Sequence, residues 1–247
     1  MTLQNFFAQN PRAAIAFSGG ADSAFLLWAA VTAGADVCAY YVQSEFQPAF
    51  ERRDAERLAR EVGARLRVLN VSALHAPGVR ENPPERCYFC KQAIFSAITA
   101  AARADGYTLL LDGTNASDDA ADRPGMRALR ELSVRSPLRE CGLTKAEIRK
   151  LSREAGLFTW DKPAYACLAT RIPAGEVITA EKLAATERAE DYLFSLGFTD
   201  FRVRYAAGAA KLQLPAAQWP RLLEHRAEIL NTLRRDYTAV TLDLEVR

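Results

Sequence analysis

Short apolar runs alternate with amphipathic ones through the first half of the chain. Arg12–Phe17 (RAAIAF), Asp36–Gln43 (DVCAYYVQ), Arg65–Val71 (RLRVLNV) and Tyr107–Asp112 (YTLLLD) have strand length, and each predicts a strand. Between them Ala21–Ala33, Pro48–Val62 and Tyr88–Ala104 predict helices, the first closed by Gly34 and the second by Gly63. Thr144 followed by Glu147 forms a capping-box signature that opens a helix over Lys145–Ala155. Strand, helix and strand at this spacing imply an α/β fold, a parallel sheet with helices on both faces.

The pattern changes after Gly156. Lys162–Gly175 reads as a loop with Pro163, Pro173 and Gly175, and Ala180–Leu196 as an amphipathic helix. Phe201–Tyr205 and Lys211–Leu214 predict strands, Ala216–Arg235 a helix, and Ala239–Val246 (AVTLDLEV) a last alternating strand. The expectation is two domains, residues 1–160 and a smaller α+β unit over 161–247, with the boundary between Gly156 and Gly175. No internal repeat is visible.

Composition narrows the class of protein. With 247 residues, 49% hydrophobic and 25% charged, the chain has ordinary globular usage and the length to build a core without disulfides. Its 32 basic and 30 acidic residues leave a formal charge of +2, which makes no electrostatic case for nucleic acid. Met1 to Arg12 lacks the apolar core of a secretory signal, and no run of about 18 apolar residues predicts a membrane span. A cytoplasmic, reducing location is expected, where cysteines more often bind metal or do chemistry than form disulfides.

The first predicted strand runs into Ser18-Gly19-Gly20-Ala21-Asp22-Ser23 and straight on into a helix. Glycines let backbone N–H groups approach an anion, Ser18 and Ser23 add hydroxyls, and the helix N-terminus adds the positive end of a dipole. Asp22 is placed to hold Mg²⁺ between phosphate oxygens. The bland reading is a tight turn with a capping serine. The string has neither the lysine of a Walker A loop nor the G-x-G-x-x-G spacing. Asp112-Gly113-Thr114-Asn115 ends the fourth strand, where open α/β sheets bind ligands, although a simple turn would read the same way.

Five cysteines and two histidines are present. Cys87-Tyr88-Phe89-Cys90 is a CxxC, which alone is compatible with redox chemistry, zinc or nothing. Cys167 lies in Tyr165-Ala166-Cys167-Leu168-Ala169-Thr170-Arg171, within the loop-like stretch that holds Pro163 and Pro173. Zinc normally takes four ligands, whereas three thiolates suit a [4Fe–4S] cluster with one iron left open. Cys38 sits in a strand-like run and reads as a small buried side chain, and Cys141 receives no role.

SGGADS after an N-terminal strand resembles the pyrophosphatase loop of the N-type ATP pyrophosphatases, which cleave ATP between its α- and β-phosphates to adenylate a substrate. Longer strings narrow the resemblance. Asn82-Pro83-Pro84-Glu85-Arg86-Cys87-Tyr88-Phe89-Cys90-Lys91, Trp160-Asp161-Lys162-Pro163, Ala166-Cys167-Leu168-Ala169-Thr170-Arg171-Ile172-Pro173 and Phe201-Arg202-Val203-Arg204-Tyr205 resemble the LarE family. The matches run from Ser18 to Tyr205.

That resemblance implies a PP-loop, Rossmann-like ATP pyrophosphatase domain followed by a C-terminal sulfur-transfer domain. It implies an ATP-dependent sulfurtransferase that makes the organic ligand of the nickel-pincer nucleotide cofactor of lactate racemase. The reaction adenylates a carboxylate of pyridinium-3,5-dicarboxylate mononucleotide, releases pyrophosphate, and delivers sulfur to give a thiocarboxylate. Ser18, Gly19, Gly20, Asp22, Ser23, Gly113, Thr114 and Asn115 then belong to the nucleotide site, with Asp22 on Mg²⁺. Cys167 matches the cysteine that donates its own sulfur in one branch of the family. Cys87 and Cys90 are the extra pair of the branch that uses an iron–sulfur cluster, so Cys87, Cys90 and Cys167 would hold [4Fe–4S]. Arg202 and Arg204 match residues that grip the substrate phosphate, although alternating on a strand they also read as a solvated pair. Glu190 matches an acid near a metal, or reads as a surface acid. Arg171, beside Cys167, is a candidate to stabilise a thiolate or acyl-phosphate, or a loop salt bridge. Gln213 stands where a second acid is expected. The family also implies a homo-oligomer and a sulfide donor as partner. Two other readings fit parts of the pattern: an iron–sulfur-dependent tRNA thiolase, and a non-catalytic ATP or redox sensor.

Overall fold

Alternation across the strands decides which helices the sheet can carry. The structure, a computed structural model, describes residues 1–118 and 124–245. Helix α1 (Leu3–Gln9) leads into β1 (Arg12–Ala16), α2 (Ala21–Thr32), β2 (Asp36–Gln43), α3 (Ala49–Glu61), β3 (Arg65–Asn70), α4 (Arg86–Ala104) and β4 (Leu110–Leu111). Short helices α5 (Pro124–Glu131) and α6 (Pro137–Glu140) precede α7 (Lys145–Glu154). The four strands form a parallel sheet in the order β3-β2-β1-β4. Ala13, Ile15, Val37, Ala39 and Tyr41 point to one face and pack with α1, α2, α3 and α7 through Phe6, Leu26, Leu58 and Ile148. Ala14, Cys38, Tyr40 and Val42 point to the other and meet Ile98 and Ala102 of α4. Period-two alternation thus feeds a helix layer on each side, the α/β architecture the strand–helix spacing implies.

The second unit is built differently. After a 3₁₀ turn, Leu168–Arg171, come α8 (Ala180–Ser195), β5 (Arg202–Ala206), β6 (Ala209–Gln213), α9 (Trp219–Glu224), α10 (Arg226–Leu233) and β7 (Val240–Leu242). Strand β6 is central, antiparallel to β5 and parallel to β7. Its core gathers Leu193 of α8, Val203, Leu212, Ile229 and Tyr237. Burial pushes the Tyr237 phenol up to about 12.

Several boundaries differ from the sequence expectation. The chain divides into Met1–Pro77 with Glu85–Tyr165, and Gly78–Pro84 with Ala166–Arg247. Gly78–Pro84 joins the later unit because the Asn82 amide donates to the Ile172 and Pro173 carbonyls at 3.2 and 2.7 Å, while Gly175 and Ile178 N–H groups bond back to Asn82 and Arg80. Helix α4 starts at Arg86, so both cysteines of the CxxC are helical. Strand β4 is two residues long because its pairing with β1 reaches only Ala14↔Leu110 and Ile15↔Leu111. The long helix expected over Ala216–Arg235 is broken at His225, whose backbone leaves helical geometry between α9 and α10. The last predicted strand extends to Val246, which lies outside the described residues. Among the described residues no helix is long and apolar enough to cross a membrane.

The second unit turns on one buried ion pair. Arg171 and Glu190 are each 1% exposed, with Nε and Nη2 of Arg171 on the two oxygens of Glu190 at 2.8 and 3.0 Å. Removing one member of such a pair strands the other charge in the core. Arg171→Ala is expected to cost the second unit about 3–5 kcal/mol in urea unfolding. The double replacement Arg171→Met with Glu190→Leu is expected to recover much of that loss. A cost of Arg171→Ala near that of a surface substitution would contradict the pair's role.

Candidate functional site

The turn from β1 to α2 closes on itself through its serines. Ser18 and Ser23 Oγ atoms lie 3.1 Å apart, the Ser18 N–H donates to Ser23 Oγ and the Gly20 N–H to Ser18 Oγ at 3.3 Å each. Gly20 caps α2 without a side-chain bond, so the first N–H groups of the helix face outward unmet by a capping side chain. Gly19 takes a φ of +74°, and a Cβ there would meet Ala55 Cβ and the Glu51 carbonyl of α3 at 3.2 Å. Glycine at this position lets the loop lie directly on α3. Lys162 holds it from behind, donating to the Gly19 carbonyl at 3.3 Å and pairing with Asp54 of α3 at 2.7 Å.

The end of β4 approaches α2 even more closely. A Cβ on Gly113 would stand 2.8 Å from the Ser23 backbone nitrogen. Asp112, buried, accepts from Thr114 N–H at 3.3 Å and Ser136 Oγ at 2.6 Å. Asn115 is 2% exposed and uses its side chain to accept from the Ser117 N–H at 2.8 Å, and its own N–H donates to Asp118. Ser117 Oγ in turn accepts the Lys145 N–H at 3.0 Å, at the start of α7. The Thr144–Glu147 capping box is formed.

Asp22 lies in the first turn of α2, not on an open loop, and its side chain is three-quarters covered. Lys145 Nζ meets its Oδ2 at 2.6 Å, while Oδ1 is buried and has no hydrogen-bond partner among the described residues. Ser18, Gly20, Asp22, Ser23, Gly113 and Thr114 line one cleft of about 500 Å³ at the carboxyl ends of β1 and β4. Cys87, Lys91 and Asp118 share its walls. Mg²⁺ is commonly held by one or two carboxylates with phosphate oxygens completing its shell, and the orphaned Asp22 oxygen fits that demand. A smaller apolar hollow of about 130 Å³ adjoins the cleft, lined by Tyr40, Val42, Ile94 and Phe95. Strand β2 continues beside it to Gln43, beyond Tyr40, the last of its residues paired with β1, opposite Ala16.

The expected nucleotide residues therefore divide. Gly19 and Asn115 are absent from the cleft lining; one seats the loop and the other locks the turn that leads to α7. Cys87 is exposed and reaches the cleft, whereas Cys90, one turn on, is buried. None of the five cysteines is in a disulfide. Among the described residues no group of three or more His, Cys, Asp and Glu side chains is gathered to hold a metal ion.

In the second unit Cys167 is half-buried and starts the 3₁₀ turn, its carbonyl accepting the Thr170 N–H and hydroxyl at 2.9 and 2.8 Å. Arg171 Nη1 donates to the Ala166 carbonyl at 2.8 Å and Thr170 Oγ1 at 2.9 Å. Glu190 also accepts the Val203 N–H at 2.9 Å. Arg171 therefore positions the segment around Cys167, and Glu190 is committed to that arginine and to β5 instead of lying on the surface. Arg202 is 7% exposed and donates to the Phe201 carbonyl at 2.6 Å. Arg204 is exposed, bonds Gln213 and donates to the Thr170 carbonyl at 2.8 Å. Gln213 passes the chain on to Asp243 at 2.7 Å. The bond from Lys211, helped by Gln213, holds the Asp243 carboxyl below the usual range.

Sequence reasoning missed Lys145 and Lys162. The first had a signal, since the capping box fixes Lys145 as the opening residue of α7. The second lies within the Trp160–Pro163 string but has no spacing rule to connect it with Gly19.

No protein-family model matches the chain. An uncharacterized protein of Synechocystis is 37% identical over 98% of the chain and 92% of its own length. The pyridinium-3,5-bisthiocarboxylic acid mononucleotide synthase of Lactiplantibacillus plantarum is 34% identical over 94% of the chain and 86% of its own length. An uncharacterized protein of Methanocaldococcus jannaschii is 27% identical over 96% of the chain and 91% of its own length.

The contact at Gly113 sets a stability test. Gly113→Ala is expected to destabilise the first unit by about 1–3 kcal/mol, the usual cost of overpacking, because the neighbouring atoms are backbone. Gly20→Ala, whose added Cβ would meet Ser18 Oγ at 3.4 Å, is expected to be close to neutral. Equal effects in thermal or urea unfolding would show that the approach of Gly113 to Ser23 is not a constraint.

Proposed function

At 34% identity to that synthase across nearly its whole length, the chain belongs to the LarE family, and from that membership we propose that it is an ATP-dependent sulfurtransferase of nickel-pincer nucleotide biosynthesis. In this reading it adenylates a carboxylate of pyridinium-3,5-dicarboxylate mononucleotide and exchanges AMP for sulfur. The observation that carries the proposal is the loop Ser18–Ser23, wound into the first turn of α2 and opening on the cleft with an Asp22 oxygen that has no partner among the described residues.

The substrate carboxylate oxygen attacks the α-phosphorus of ATP, and the bond from that phosphorus to the bridging oxygen breaks. Pyrophosphate leaves against the loop amides and the α2 N-terminus, where anionic charge is favoured. Mg²⁺ on Asp22 would supply further charge neutralisation for the leaving group. The adenine takes the apolar hollow beside the end of β2, against Phe95. A sulfur nucleophile then attacks the acyl carbon, the acyl C–O bond to AMP breaks, and the thiocarboxylate forms. Arg204, with Arg202 behind it on β5, holds the phosphate of the mononucleotide.

For the source of sulfur, the resemblance alone supports Cys87, Cys90 and Cys167 as ligands of a [4Fe–4S] cluster, which would present an added sulfide. The reaction itself tests the function: ATP is expected to go to AMP and pyrophosphate only with the pyridinium carboxylate present. Release of ADP and phosphate would overturn the reading. Anaerobic purification with iron and sulfide analysis tests the cluster. Protein mass after turnover with sulfide is expected to be unchanged, whereas loss of one H₂S from Cys167 would identify a sacrificial donor.

Arg204→Ala removes a charge-assisted contact of about 1.5–3 kcal/mol. It is expected to raise KM for the mononucleotide by roughly 10–150-fold while changing KM for ATP less than about twofold. An equal rise in both would take Arg204 out of the substrate site.

A further inference from the structure

The two oxygens of Asp22 are treated unequally. Oδ2 is 2.6 Å from Lys145 Nζ, and Oδ1 is buried with no partner among the described residues. A carboxylate beside a phosphate-binding loop repels the ligand unless a cation stands between them. In the protein without metal, Lys145 is that cation. Its backbone is fixed by the capping box and by its N–H bond to Ser117 Oγ, while the side chain is about one-third exposed and reaches Asp22 from outside the turn. The loop itself carries no lysine between Ser18 and Ser23.

We propose that Lys145 is the resident counter-ion of Asp22, displaced from the carboxylate by the divalent cation that arrives with ATP and then free to bind a phosphate oxygen. The proposal rests on the ATP-cleaving reading of the cleft. It needs no covalent step: an ammonium leaves one oxygen anion for another, and the metal takes its place on Asp22. The exchange keeps Asp22 neutralised before and after loading, so ATP does not meet a bare carboxylate at that residue. It also makes Lys145 and the metal competitors for one group, so a lysine that helps ATP bind also weakens metal binding in the absence of ATP.

This antagonism separates a counter-ion from a structural salt bridge. Mn²⁺ binding to the full chain without nucleotide is read by electron paramagnetic resonance and calorimetry, and ATP binding without divalent cation is read separately. Lys145→Met is expected to bind Mn²⁺ about two- to fivefold more tightly than the unsubstituted protein, because the competing charge is gone. The same variant is expected to bind metal-free ATP several-fold more weakly. Lys145→Arg, which keeps the charge, is expected to retain the weaker Mn²⁺ affinity, and Asp22→Asn to lose Mn²⁺ binding. Should Lys145→Met prove unstable, Lys145→Gln makes the same comparison with a polar side chain. Unchanged or weaker Mn²⁺ binding by these variants, with Mn²⁺–ATP still bound by the unsubstituted protein, would overturn the exchange and leave the cleft's ATP function standing. Failure of the unsubstituted protein to bind Mn²⁺–ATP at all would overturn both.

Discussion

The cleft depends on how closely the end of β4 approaches the first turn of α2. Gly113 lies so near the Ser23 backbone that even a methyl group would collide with it. That contact fixes the outlet of β4 against the loop leaving β1, two strands paired side by side in the sheet. It brings Thr114 to the same wall as Ser18 and Asp22 and starts the turn that Asn115 and Ser117 tie to α7. Because α7 begins at Lys145, a packing constraint at one glycine also determines where an ammonium meets Asp22. Close-packed interiors transmit position in this way, without requiring the intervening residues to touch ligand.

The second unit uses charge where the first uses backbone contact. A buried arginine–carboxylate pair is seldom a net source of stability compared with apolar residues of similar volume. What the Arg171–Glu190 pair supplies is geometry. The guanidinium reaches Ala166 and Thr170 on either side of Cys167, and the carboxylate reaches α8 and the Val203 N–H of β5. Three pieces of chain that have no strand pairing with one another are thereby held in register around the cysteine. Arg204 adds a further tie to the Thr170 carbonyl, so the strand expected to grip substrate phosphate is hydrogen-bonded to the turn that carries Cys167.

Most of the first unit was legible because local rules decide it. Four short apolar runs and the helices between them predict the parallel sheet, and the SGGADS string marks the turn between β1 and α2 that opens on the cleft. What stayed hidden depended on distance along the chain. Lys162 stands 143 positions beyond Gly19 and Lys145 stands 123 beyond Asp22, and no periodicity links such partners. Glu190 misread as a surface acid for a related reason: α8 buries it only because Arg171, from a loop, comes to meet it. The short β4 shows the opposite limit, where local propensity is overridden by the pairing available.

Helix α4 shows why one residue of register matters to chemistry. A helix starting at Tyr88 would leave Cys87 in the preceding loop; starting at Arg86, it places both cysteines on neighbouring positions of one helix face. Their environments then diverge, Cys87 opening on the cleft that the Ser18–Ser23 loop borders and Cys90 turning into the interior. In the proposed reaction the acyl-adenylate is a reactive mixed anhydride that water can destroy, so sulfur must reach it before solvent does. A sulfur-bearing group on the wall of the same cleft makes that attack effectively intramolecular, an advantage of about 7–11 kcal/mol over capture from solution when the atoms are well oriented. In that reaction the CxxC would draw its role from the helix it starts and from the cleft that helix borders, where the four-residue string by itself left redox chemistry, zinc and chance open.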